Sequence, residues 1–493
     1  LHEEVEQADD EVDILNQDNA TEISYDVRTR GGNIMFSLWK GILKLALPSI
    51  ATFSSMTLTG MITLVMVGRL GPNAIAIVGI SNIFMYNVWS LFAGINEAVN
   101  YLVSQNYGEQ TMNEGNSRTQ LALLISAGLS ILLFIASFAI PSEVFILLGA
   151  NHTLVVGGAP YLHMRLISFT FSLITNVFYA YMRGVGDTKS PMYISIVSSV
   201  VLVFCTYGLT YGHFGMPNLG LPGAGISMIV SEGIGFALSA WVYYGKYNLT
   251  YQTRRWYRVR MAELRLIVKE AIKLSAMELS MSFGMLVFTW CITPLGTLAL
   301  AANEITLNIL SFGFMPANGF GAAATIGVGQ GIGADNPIAG KRFGLHTAWL
   351  GLLFMGVFSV FLLVFAKPVA MFYAKDATVA VVAVGLIHIA SFIQLFDGAG
   401  IIFAGGLRGI GDTTFLFRMS VILNWLIFIP LTYLLTRYFH FGESGAWISL
   451  CTLIALLGLT NGARFILLDW TQVRTQSAKM RDHARSDVQT LEA

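Results

Sequence analysis

Apolar runs of roughly 20 residues, the length that crosses a hydrocarbon core, recur twelve times along this chain. They are centred near residues 54, 89, 130, 171, 202, 233, 281, 312, 355, 391, 426 and 456. Short polar segments carrying Gly, Pro, Asn and Asp separate them, so the pattern predicts spanning helices joined by tight loops. The long polar interruption from Lys246 to Lys269 contains Arg254, Arg255, Arg258 and Arg260 and divides the spans into six and six. It is expected to include a surface helix. With 55% hydrophobic and 12% charged residues and a mean hydropathy of +0.64, a water-soluble globule of this size is excluded.

The two sets of six are related. Arg183-Gly184-Val185-Gly186-Asp187-Thr188 returns 225 residues later as Arg408-Gly409-Ile410-Gly411-Asp412-Thr413. The same offset carries Gln105 to Gln330, Gly108 to Gly333, Gly115 to Gly340 and His163 to His388. Six is even, so each half starts from the same side, and the repeats relate by an axis along the membrane normal. The expected fold is therefore an all-α integral membrane protein of twelve transmembrane helices in two six-helix lobes with that pseudo-twofold axis. The divisions are an acidic disordered tail (1–38), a first lobe (39–245), a basic linker (246–269), a second lobe (270–468) and a C-terminal tail (469–493).

Charge sets the orientation. Residues 1–26 hold ten acids and no Lys or Arg, a solvated tail. Threading the helices places Arg69, Lys367, Lys375 and Arg437 on the far side and Arg165 within the bilayer, and leaves 24 of the 29 Lys and Arg on the starting side. By the positive-inside rule that side, with both termini, is cytoplasmic. Asn151-His152-Thr153 forms a glycosylation triplet in an external loop. Cys205, Cys291 and Cys451 lie in apolar runs without metal-ligand spacing, so neither a metal nor a disulfide is expected.

A charge in mid-membrane costs about 3 kcal/mol or more, so buried acids mark candidate chemistry. Glu97, Glu232, Glu278, Glu304 and Asp397 qualify. Ser275, Glu278 and Ser282 make one polar stripe on the seventh span, Glu304, Asn308 and Ser311 another on the eighth, and His388, Ser391, Gln394 and Asp397 a third on the tenth. These stripes predict a hydrated cavity in the second lobe. The first span carries hydroxyls only, Ser49, Thr52, Ser55, Thr59 and Thr63, which suit bonding to their own helix. Under the 225 offset Asp397 matches Ser172 and Glu97 matches Ala322, so the fold does not require these acids. Glu97 and Glu232 stand nearer helix ends, where a structural or an interfacial place is expected. In the repeated loops the glycines allow a tight turn, Asp187 and Asp412 or the following Thr can cap the next helix, and Arg183 and Arg408 can bind the carbonyls that end the previous one. No Lys-Ser or Lys-Thr completes a nucleotide loop, and Gly327 and Gly331 have the spacing of close helix packing.

Over residues 40–468 the chain resembles the multidrug and toxic compound extrusion (MATE) transporters. The resemblance rests on the two six-helix lobes, on Val67-Gly68-Arg69-Leu70-Gly71, on Ala301-Ala302-Asn303-Glu304-Ile305 with Phe314-Met315-Pro316 and Val328-Gly329-Gln330, and on Leu407-Arg408-Gly409-Ile410-Gly411-Asp412-Thr413. Many members carry an Asp eleven residues before the Arg of the last motif, where Asp397 stands, and a seventh-helix carboxylate, for which Glu278 is the candidate. Two departures matter. Thr63 occupies the place of the first-helix Asp, and Leu274-Ser275-Ala276 lacks the Pro that often follows the Leu.

The resemblance implies a secondary antiporter that exports an amphipathic, cationic organic compound in exchange for H⁺ or Na⁺ by alternating access. Glu278, Asp397, Glu304, Gln394, Asn308 and Ser282 would bind ion and substrate, while Arg183, Asp187, Arg408 and Asp412 would be structural. No cofactor, catalytic residue, nucleic acid or second subunit is expected. The alternative is a flippase of the same superfamily for lipid-linked or oligosaccharide substrates, which would want basic residues along the cleft. A membrane enzyme would need a catalytic pair at one depth, and His388 and Asp397 are too far apart for one helix turn.

Overall fold

A computed structural model describes residues 32–373 and 377–482. The acidic stretch 1–26, Lys375 and residues 483–493 lie outside the described residues. Twelve long helices follow in order: α1 (Gly32–Gly68), α2 (Pro72–Gly108), α3 (Met112–Leu147), α4 (His152–Gly184), α5 (Lys189–Tyr211), α6 (Leu221–Tyr244), α7 (Met261–Ile292), α8 (Thr297–Gly333), α9 (Pro337–Tyr373), α10 (Ala377–Ile410), α11 (Thr413–Tyr438) and α12 (Gly442–Leu467). Eleven are long and apolar enough to cross a membrane by composition alone. The twelfth, α4, carries His163, Arg165, Asn176 and Arg183 and is packed between α2, α3 and α6. Its polar groups are met locally: Arg165 donates to Asn82, and the His163 ring meets Ser137 O at 2.7 Å. The protein is an integral, multi-pass membrane protein.

Three boundaries differ from expectation. Residues 32–38 are helical, because α1 begins well before its apolar run. Residues 261–269 belong to α7, held by a buried bidentate pair in which Arg118 of α3 donates through Nε at 2.7 Å and Nη2 at 3.3 Å to Glu263. Residues 470–482 form a strap, with a turn at Trp470–Gln472 and helix over 476–482. The strap crosses to the first lobe: Gln476 N donates to Gln105 Oε1, Asn106 to Ser477, Thr475 to Glu109, and Arg481 pairs with Glu109 and Glu114. Gln476 Nε2 also donates to Gly411 O of the second lobe. The surface helix in the linker is six residues, Lys246–Tyr251.

The first helix of each lobe also packs on the second helix of the other. A Cβ on Gly94 of α2 would meet Ala271 O of α7 at 2.2 Å, and one on Gly319 of α8 would meet Ile50 N of α1 at 2.9 Å. Gly319 is Gly94 displaced by 225, and Ser275, which bonds Gly94 N at 3.1 Å, is Ile50 displaced by 225. At the face that carries the linker, the contact becomes reciprocal. Gln105 Nε2 donates to Gly409 O at 2.8 Å, and Gln330 Nε2 donates to Gly184 O at 3.1 Å. Gly108 and Gly333 allow that approach, since Cβ atoms there would lie 2.2 Å from Gln330 O and 2.1 Å from Gln105 O. The lobes are closed at this face.

Within each lobe the core is aliphatic and aromatic, centred in the first on Tyr161, Leu162 and Phe145 and in the second on Phe288, Phe428 and Trp447. α11 carries two π-helical stretches, Leu423–Phe428 and Leu434–Tyr438, on either side of Pro430. Proline cannot donate to the helix ladder, and wider turns flank it. Three hydroxyls of α1 bond their own helix, Ser49 to Leu45 O, Thr52 to Pro48 O and Thr59 to Ser55 O, Ser55 donates to Ser199 of α5 at 3.0 Å, and Thr63 Oγ1 is buried without a partner among the described residues.

Candidate functional site

The α8-facing side of α10 carries Gln394, Asp397 and Ile401 at helical spacing. Gly313 leaves room for the Gln394 amide, because a Cβ there would lie 2.4 Å from its Oε1, and Ile401 packs on Gly321 of the same helix. Asp397 is 9% exposed and Gln394 1%. Asp397 Oδ2 and Gln394 Oε1 have no hydrogen-bond partner. Two buried acceptors one turn apart are costly unless a proton or cation joins them.

Glu278 sits elsewhere. It lies on α7 where that helix crosses α2, within electrostatic reach of Arg408, Glu97 and Tyr86. Its stripe neighbours are engaged across the lobes, Ser275 by Gly94 N and Ser282 by Asn87 Oδ1 at 2.9 Å. The expected convergence of three polar stripes on one hydrated cavity is thus corrected, because α7 turns its polar side to α2. Glu304 and Asn308 of α8 are exposed. Asn308 Nδ2 donates to Glu304 O at 2.8 Å and Ser311 to Asn308 O at 2.6 Å. No hydrogen bond or ion pair joins Glu278, Glu304 and Asp397 among the described residues.

The repeated loops hold more than turns. Gly186 and Gly411 have φ of +88° and +80°, the left-handed region that favours glycine. Asp187 caps α5, accepting from Ser190 N at 2.9 Å and Lys189 N at 3.1 Å. Burial pushes its carboxyl up, but the bonds from Lys246, Tyr247 and Ser190 outweigh that and hold it below the usual carboxylate range. Asp412 makes no side-chain cap and instead binds Arg464 Nε at 2.9 Å. Arg464 stands near the end of α12 much as Lys246 follows α6, so each Asp ties its loop to the last helix of its lobe. Thr188 donates to Lys44 O, and Thr413 to Glu270, in the linker-face parts of α1 and α7.

The two arginines overturn their expected role, for neither binds the carbonyls that end its helix. Arg408 Nη1 donates to Glu97 Oε2 of the opposite lobe at 2.6 Å. Arg183 lies over the rings of Phe53 and Tyr179, 5.4 and 6.0 Å from their centroids, and in electrostatic contact with the same Glu97. Glu97, expected in a structural or an interfacial place, pairs across the lobes with Arg408. Its asymmetry against Ala322 was the available signal, and the retained pairs Gln105/Gln330 and Gly108/Gly333 were the signal for the seam. Glu232 stays within the first lobe, facing Tyr179 and Ser172.

The MatE family model matches residues 48–207 and 274–434, two segments in the register of the internal repeat. The chain belongs to the MATE family. It is 28% identical over 453 residues to a probable multidrug resistance protein NorM of Pseudomonas putida, covering 89% of this chain and 97% of that one. It is 27% identical over 451 residues to the multidrug resistance protein MdtK of Photorhabdus laumondii, covering 88% and 95%. Among solved structures it is similar to a multidrug resistance MATE family transporter in an outward-facing conformation, with TM-score 0.81, 20% identity and coverage of 89% and 98%. A second similar structure is a MOP superfamily transporter from Pyrococcus furiosus, with TM-score 0.80, 18% identity and coverage of 87% and 95%. In this MATE chain the family's two-lobe frame carries its buried acids unequally.

Proposed function

We propose that this MATE protein is a secondary antiporter that exports amphipathic organic cations in exchange for H⁺ or Na⁺. The observation that carries the reading is Asp397: a buried carboxylate with one oxygen unpartnered, beside the unpartnered amide oxygen of Gln394. A proton on Asp397 would donate to such an acceptor, and a Na⁺ would be held by both oxygens. The relatives named for multidrug resistance support organic substrates. The linker face, with its excess of Lys and Arg, is cytoplasmic. Closed there, the protein receives its coupling ion from outside. Neutralised, Asp397 and Glu278 lose their hold on a cationic substrate, and binding differences of this kind shift the balance of states. Glu304, Asn308 and the exposed side of α8 offer the substrate its polar contacts, and a monomer suffices because the cleft lies within one chain.

Efflux of a fluorescent organic cation from liposomes, under an imposed pH gradient and then a Na⁺ gradient, tests the proposal for wild type and Asp397→Asn. Gradient-driven flux that the variant loses, with expression preserved, is expected. Full transport by Asp397→Asn would move coupling away from Asp397. No flux of wild type under either gradient would sink the antiporter and favour lipid-linked substrates.

A further inference from the structure

The pseudo-twofold axis makes a comparison that isolates Arg408. Arg183 is its counterpart, and under the 225 offset the neighbours of Arg183 convert into those of Arg408. Phe53, the ring against Arg183, becomes Glu278, and Glu97, the cross-lobe partner of Arg408, becomes Ala322. Arg183 therefore meets a phenylalanine ring where Arg408 has Glu278 within electrostatic reach, and Arg408 takes Glu97 where the equivalent position in the second lobe is an alanine. Glu97 takes Arg408 at 2.6 Å, while Arg408 Nε is buried with no partner.

We infer that Glu97, Arg183, Arg408 and Glu278 form a charge-balanced gate across the seam between the lobes, closed while Glu278 is charged and loosened when Glu278 is neutralised. The inference rests on the proposed role of Glu278 in ion coupling. Each lobe contributes one acid and one arginine: Glu97 and Arg183 from the first, Glu278 and Arg408 from the second. With both acids charged the sum is zero. Removing the charge on Glu278 leaves two guanidinium groups from opposite lobes to share Glu97. A guanidinium short of its counter-charge in a part-buried site is strongly unfavourable. Arg408 and Glu97 are 13% and 30% exposed, so solvent already reaches the pair, and the remaining repulsion acts between Arg183 and Arg408, which opposite lobes carry, and drives those lobes apart at the seam. Other charged groups nearby are already engaged. Glu270 holds Lys273 and Thr413, and Glu232 faces Tyr179.

Ser104 reports the seam. It is fully buried, and its Cβ lies 2.8 Å from where a Cβ on Gly329 would stand. Ser104→Cys, with Cys205, Cys291 and Cys451 replaced by serine, is labelled with a membrane-impermeant maleimide in vesicles oriented with the linker face outward. Glu278→Gln is expected to raise the labelling rate about tenfold, a modest population shift, and Glu97→Gln to raise it at least as much. Adding Arg408→Gln to Glu278→Gln restores charge balance and lowers the rate again. Should Glu97→Gln fail to fold, Glu97→Asp, which lengthens the pair, takes its place and raises labelling less. Unchanged or slower labelling in Glu278→Gln, or no rescue by Arg408→Gln, overturns the gate. Labelling needs no transport. A protein whose seam responds as described but which moves no cation against substrate would refute the antiporter and leave the gate standing.

Discussion

Gly333→Ala tests the closed seam with a single methyl group. A Cβ at Gly333 would sit 2.1 Å from Gln105 O and 2.9 Å from Glu109 N, where a carbon and a carbonyl oxygen need about 3.3 Å. The obstacle is backbone of the opposite lobe inside a helix, which does not swing aside as a side chain would. Relief therefore means moving the lobes apart by about 1.2 Å, the difference between those separations. That displacement takes Gln105 Nε2 from Gly409 O and Gln330 Nε2 from Gly184 O beyond hydrogen-bonding range, from 2.8 and 3.1 Å. At a net value of about 1 kcal/mol each, the seam loses about 2 kcal/mol, or roughly a 30-fold shift in population. Gly333 is the last residue of α8 and is not among the glycines with left-handed φ, so the helix accepts Ala there and folding is preserved. Spin labels placed on the linker-face ends of the two lobes should show the closed distance lost and the wider one dominant, with turnover in liposomes reduced. A Gly333→Ala protein that keeps the closed distance and wild-type turnover would refute the close approach and with it the role of the glycine pair.

Four further outcomes follow from the same geometry. Thr63→Ala should leave exchange nearly intact, measured in liposomes beside wild type, because Thr63 Oγ1 is buried without a partner and no carboxylate stands in its place. Glu263→Gln should lower the melting temperature of detergent-solubilised protein, since Arg118, only 1% exposed, is left a buried charge with weakened pairing, at a cost of about 3 kcal/mol. Asp187→Asn should also destabilise. The folded carboxyl is depressed by its net bonding, so its contribution is complete above the ordinary carboxylate value of about 4 and is lost only as pH falls through the depressed value. The melting-temperature gap between the variant and wild type should be flat from about pH 5 to 8 and close in stronger acid. Truncation after Gln472 removes Thr475, Gln476, Ser477 and Arg481 from the first lobe and should speed labelling at Ser104→Cys. Unchanged labelling would show that the strap lies on the lobes without holding them.

The frame was legible because periodicity and duplication are properties of the sequence itself. Apolar runs located the helices, and the 225 offset supplied the lobes, their parallel relation and the pairs Gln105/Gln330 and Gly108/Gly333. The composition of α4 was the exception, as its polar residues find partners inside the first lobe. Directions of side chains were not legible. A stripe of Ser275, Glu278 and Ser282 reads equally as the wall of a cavity or as the contact face of a crossing helix, and only the partner α2 decides between them. Arg408 was assigned to carbonyls one turn away, because nothing local points to Glu97, 311 residues distant in the chain. The strap reads in the sequence only as a C-terminal tail for the same reason, since its partners Gln105, Asn106 and Glu109 belong to the other half of the molecule.

The reciprocal seam bears on how such a chain could have arisen. A surface in which residue i of one unit meets residue j of the other, and j meets i, is the isologous interface of a twofold homodimer, and the Gln105 and Gln330 bonds have that form. A six-helix ancestor making both contacts with a second copy of itself would be complete without any linker. In such a dimer every substitution appears twice, so an acid at the position of Glu97 would face a second acid's partner across the axis, and one arginine could never be set apart from the other. Joining the copies in one chain removed that constraint. Glu97 opposite Ala322, and Glu278 opposite Phe53, are differences that no homodimer can carry, and they give one side of a symmetric scaffold a charge that the other side lacks.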